Sequence, residues 1–154
     1  MTLDYTAQEM NVYNSLRKFL IDNLHTTEGF YLSFDRILDA PKTGNNELDK
    51  WISVKINVIG RGLLSETTLE LFCCTRQDPE KFKLIEMSDT VMSYLSDTDA
   101  TDGMKRIDFY DTHEMPWINK GALCITEIRE SNMETEDKTK IKLFMASLRW
   151  TAKV

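Results

Sequence analysis

The stretch from Trp51 to Ile59 constrains this chain most. Ile52, Val54, Ile56 and Val58 fall on one side of an extended backbone, with Lys55 and Asn57 on the other. Successive side chains of a strand point to opposite faces, so this pattern fits a strand with one face on a core and one toward water. Antiparallel sheets supply such strands. Gly60-Arg61-Gly62 interrupts the run. A second strand, Thr67 to Thr75, then puts Leu69, Leu71 and Cys73 on one face and Phe72 and Cys74 on the other. Apolar groups on both sides predict that both faces are covered there.

Two helices flank this pair. The first is expected from about Thr6 to Leu24. Thr6 and Glu9 fit a capping box, and Met10, Tyr13, Leu16, Phe19, Leu20 and Leu24 make its apolar face. The second starts at Asp78-Pro79-Glu80. An aspartate suits the cap, and proline suits a first position whose N–H has no partner. Its stripe is Leu84, Met87, Val91, Met92 and Leu95.

The remaining strands are shorter or less regular. Phe30, Leu32 and Phe34 alternate with Tyr31, Ser33 and Asp35, and Pro41 to Asp49 reads as a polar loop. Ile107 and Phe109 mark a brief strand before a loop, Asp111 to Gly121. Ala122 to Arg129 and Thr139 to Ala152 make a long C-terminal β-hairpin, with Glu130 to Lys138 as its mobile tip. The order is α-β-β-β-α-β-β-β. It predicts an α+β fold: a mainly antiparallel sheet with two helices packed on one side, in a single domain spanning residues 1–154.

Composition excludes several functions. In 154 residues the net charge is -6, which disfavours a nucleic-acid surface and docking on anionic lipid. No apolar run is long enough to span a membrane, and the polar start, Met1 to Glu9, has no signal-peptide core. The three cysteines, Cys73, Cys74 and Cys124, are odd in number, and two are strand neighbours facing opposite ways. They read as buried small hydrophobes in a reducing cytoplasm.

Catalytic chemistry has one candidate location, the cluster Asp108, Asp111, His113 and Glu114. Such groups suit a metal or acid–base work, but their spacing matches no metal motif, and the segment reads as a solvated loop. His25 reads as a helix-end residue, Gly60-Arg61-Gly62 as a turn without the lysine of a phosphate loop, and Asp97, Asp99 and Asp102 as a linker. No cofactor motif is present.

Apolar groups in loops point instead to protein binding. Arg61, Leu63 and Leu64 follow the glycine turn, and Met115, Trp117 and Ile118 lie in the later loop. Met133 and Glu134 lie at the hairpin tip, where free strand edges invite a neighbour. These eight residues are the interface candidates.

The layout has a known likeness. It runs from an amphipathic helix, Tyr13 to Leu24, to the strand pair Lys50-Trp51-Ile52-Ser53-Val54 and Leu69-Glu70-Leu71-Phe72. It continues through Thr75-Arg76-Gln77-Asp78-Pro79 into a helix and a terminal hairpin. Across nearly the whole chain this resembles the tail terminator and tail-completion proteins of long-tailed bacteriophages, the lambda-type minor tail protein among them. The resemblance is one of layout, with no short motif to transfer residue by residue. It implies a virion protein assembled in the host cytoplasm as a homo-oligomeric, hexameric ring. The ring would cap the tail tube protein, stop elongation and give the head–tail connector a docking surface, while DNA passes through the lumen without specific binding. Two other readings stand beside it: a neck or head-closure connector of the same virion, and a small cytoplasmic enzyme built on Asp108 to Glu114.

Overall fold

Leucine and valine at four-residue spacing build the first element. Helix α1 runs Glu9–Leu20 and continues as a wider π-helical coil over Ile21–Thr27. Val12, Leu16, Leu20 and Leu24 are at most 1% exposed and form the core-facing stripe. The expected stripe was rotated: Met10 is 61% exposed, and Tyr13 and Phe19 only border the core. The buried face instead includes the polar Asn11 and Ser15. The computed structural model describes residues 9–34, 42–43, 46–60 and 65–150, and of residues 42–43, 46–47 and 58–59 the backbone alone. The expected cap at Thr6 lies outside the described residues.

The strands follow as β1 (Leu32–Phe34), β2 (Lys42–Thr43), β3 (Asn46–Glu47), β4 (Lys50–Gly60) and β5 (Ser65–Thr75). After helix α2 (Phe82–Leu95) come β6 (Arg106–Asp111), β7 (Ile118–Glu134) and β8 (Lys140–Trp150). The main sheet has the order β1-β4-β5-β8-β7-β6, antiparallel except where β1 runs parallel to β4. The small hairpin β2–β3 lies within the stretch expected to be loop. The fold is α+β, with helix preceding the strands as expected.

Register explains the layering. Ile52, Val54 and Ile56 sit opposite Cys73, Leu71 and Leu69, which in turn face Lys142, Phe144 and Ala146 on β8. Period-2 alternation puts these on one face, where they join Leu16, Leu20, Leu84, Met87 and Val91 in a single cluster. Both helices therefore pack on that side. On the opposite face Trp51, Phe72, Cys74 and Ile141 form a second cluster, so β5 is covered on both sides as the sequence predicts.

Helix α2 begins later than expected. Lys81, with φ 61°, precedes Phe82. Asp78 still caps it from upstream, accepting hydrogen bonds from the backbone N–H of Leu84 (2.9 Å) and Lys83 (3.1 Å) and from the Thr75 hydroxyl (3.1 Å). Burial pushes this carboxyl up, but those donors, helped by Lys140, outweigh it and hold it below the usual range.

The C-terminal hairpin is longer than its hydrophobic pattern. β7 has 17 residues, and its final part, Glu130 to Glu134, falls where a loop was expected. Charged residues on a solvated face leave no apolar alternation to read. Pairing nonetheless sets Glu134 opposite Lys140 and Asn132 opposite Lys142, with Lys142 Nζ 3.7 Å from Glu130. Residues 118–121, also expected as loop, belong to β7 and pair with β6.

Candidate functional site: the edge of β7

One end of the sheet is divided between two strands. β6 pairs with β7 only from Ile118 to Cys124. Beyond a bulge between Ile125 and Glu127, β7 continues to Glu134 paired with β8 alone. Among the described residues no strand covers its outer side from Ile125 to Glu134.

The β6 half of this edge is closed by α1. The Tyr110 backbone N–H donates to Ser15 Oγ (2.9 Å), and the Thr112 N–H donates to Asn11 Oδ1 (3.0 Å). Asn11 and Ser15 are one helical turn apart, and the two N–H groups lie two residues apart on a strand, so the spacings match. This accounts for polar residues on the buried face of α1. The free half of β7 has no such cover, and an open row of backbone donors and acceptors is a template for another strand.

The interface candidates divide between the ends of β7. Met115 is 81% and Ile118 56% exposed at its start, where Trp117 packs its ring 6.2 Å from that of Tyr110. Met133, 42% exposed, and Glu134 lie at its end. A strand of this length spans roughly 55 Å, so one subunit does not unite them into a single patch. Arg61, Leu63 and Leu64 lie outside the described residues. Sequence reading missed Phe82 (72% exposed) and Ile85 (56%) on α2. Their signal was present: both lie off the stripe formed by Leu84, Met87 and Val91.

The acid–histidine cluster is engaged in local structure. Asp111 is buried, and its Oδ1 accepts the His113 backbone N–H (3.0 Å), while Asp108 and Glu114 face solvent. Among the described residues no group of three or more His, Cys, Asp and Glu side chains could hold a metal ion. Asp97 and Asp102 each accept the N–H two residues on, shaping their loop. His25 Nδ1 lies 2.9 Å from the Phe30 carbonyl and donates to it in the tautomer protonated there, so it ties the helix end to the approach of β1.

A cleft of ≈ 510 Å³ opens where the β5–α2 connection meets the hairpin turn. Several of its walls are already engaged. Asp78 holds the helix, Lys140 Nζ donates to Pro79 O (2.8 Å), and Asp137 accepts from Thr135 and Thr139. Gln77 and Lys138, lining it from either side, have φ of 55° and 66°.

No protein-family model and no curated protein matches this chain. Seven solved chains match it in three dimensions. One of them, whose designation describes no activity, superposes with TM-score 0.57 at 9% identity, over 96% of each chain. At that identity the likeness shows the fold alone. Among the described residues no helix is long and apolar enough to cross a membrane.

Proposed function

We propose that this chain works by binding protein subunits, as a structural virion component. In this reading it forms a ring, a hexamer by the family likeness, that caps a phage tail tube, ends its elongation and receives the head connector. The observation that carries the reading is the open edge of β7, left uncovered while α1 closes the neighbouring half.

Further support comes from the two separated sets of exposed apolar residues. A ring seated between tube and connector needs a contact surface toward each. Met115 and Ile118 at one end of β7, and Met133 at the other, offer two. Neighbour contacts in a ring are heterologous, each subunit presenting two different surfaces. The net charge of -6 suits a lumen through which DNA slides without sticking. A neck connector of the same virion uses the same surfaces and differs in what it touches.

The test is assembly without it. Tails assembled in the absence of this chain should run to uncontrolled length, and adding it back should restore one length. Tubes of normal length without it would remove the terminator reading.

A further inference from the structure

Helix α2 carries two apolar side chains that the core does not use. Phe82 is 72% and Ile85 56% exposed, one turn apart and away from the buried stripe of Leu84, Met87, Val91 and Leu95. A lone surface hydrophobe is ordinary. These two share a helix face with an ordered set of charges.

Lys81, Ile85 and Asp89 recur every four residues and line one side of the helix. Lys81 and Asp89 are exposed, and among the described residues neither is ion-paired within the chain. Neighbouring charges are already engaged: Lys83 Nζ lies 2.9 Å from Asp49, and Lys142 Nζ lies 3.7 Å from Glu130. Glu86, about 100° round from Ile85, lies on the flank of Lys83. A free lysine thus stands four residues before Ile85 and a free aspartate four residues after it, each about 6 Å away along the axis. A two-fold axis at Ile85 exchanges these two positions. It sets Ile85 on its own copy, brings Phe82 of each chain beside that contact, and places each Lys81 opposite the other chain's Asp89. The two helix dipoles then run antiparallel. A partner of unrelated sequence would require neither the opposite signs nor the equal spacing.

We propose that α2 joins two copies of this chain, antiparallel across a two-fold axis at Ile85. Such a contact is isologous and closes at the dimer, unlike the heterologous contacts of a ring. It uses no residue of β7, so it goes beyond the ring reading and does not rest on it. With two apolar residues a side the interface is small, and its affinity falls in the weak, transient class.

The test is self-association of the full chain, followed from micromolar to millimolar concentration by sedimentation velocity and backbone amide NMR. A monomer–dimer equilibrium is expected, with concentration-dependent shifts centred on α2. Ile85→Asp, Lys81→Glu and Asp89→Lys all change exposed positions, and each should weaken the dimer about tenfold. An equimolar mixture of the Lys81→Glu and Asp89→Lys chains should recover association, because each variant then meets opposite charges on the other. The two changes in one chain should recover it as well. Melting temperatures close to the parent's keep a folding defect from passing as a lost contact. A chain that stays monomeric throughout would overturn the proposal. So would a dimer indifferent to the charge reversals, or shifts centred on Ile125–Glu134, which would place the contact on the β7 edge. Tail length reports on the ring reading separately, so a chain that dimerises but caps no tube leaves this contact standing.

Discussion

Asn11 Oδ1 accepts two hydrogen bonds from Thr112, 101 positions away in sequence, from its backbone N–H at 3.0 Å and its hydroxyl at 2.8 Å. The same hydroxyl accepts from Asn14 Nδ2 at 3.0 Å. This contact fastens the first helix to the last residues of the β6 edge. Asn11→Leu keeps the size but leaves the Thr112 N–H without its acceptor. It should cost about 1–3 kcal/mol, read as a lower denaturation midpoint with unchanged m-value. A cost near zero would mean that α1 does not close this edge.

Asp78 makes stability depend on acid. Its carboxyl is held below its unfolded value, so its contribution is present above the ordinary aspartate range, about pH 4, and is lost as pH falls through the lower folded value. Asp78→Ala should destabilise by about 1–2 kcal/mol at pH 7. The difference from the parent should shrink steadily below pH 4. A difference independent of pH would contradict the capping role.

The cysteines should differ in reactivity. Burial pushes the Cys73 thiol up, and the Cys74 thiol up to about 12; both are shut inside the sheet's two faces. A thiol reagent at pH 8 should modify only the half-exposed Cys124 in the native protein, and all three after unfolding. Rapid native labelling of Cys74 would mean that the second cluster opens.

Surface changes at the ends of β7 should separate stability from assembly. Met115→Asp, Ile118→Lys and Met133→Asp act on exposed positions, the lysine standing opposite Asp111, and should each move stability by no more than about 0.5 kcal/mol. Each should nonetheless lower the yield of capped tubes. His113→Ala should leave capping intact. Any turnover by the purified chain that His113→Ala destroys would instead favour an enzyme.

Much of the sheet was legible because the helix-side face of β4 and β5 repeats an apolar residue at every second position. Ile52, Val54 and Ile56 and their partners Leu69, Leu71 and Cys73 lie where the pattern puts them. Two features were not legible, each for a physical reason. The stripe of α1 was misread because Asn11 and Ser15 are buried for their bonds to β6, and no local pattern reveals a partner a hundred residues away. The end of β7 was misread because Glu130 to Glu134 owe their strand to β8 pairing, not to burial.

The most direct test of the central claim is to locate this chain by cryo-electron microscopy in intact phage particles from its source. The account predicts a single ring of it at the head-proximal end of the tail tube, with β7 at a subunit contact. A ring at the portal would move it to the neck, and its absence from particles would contradict the account.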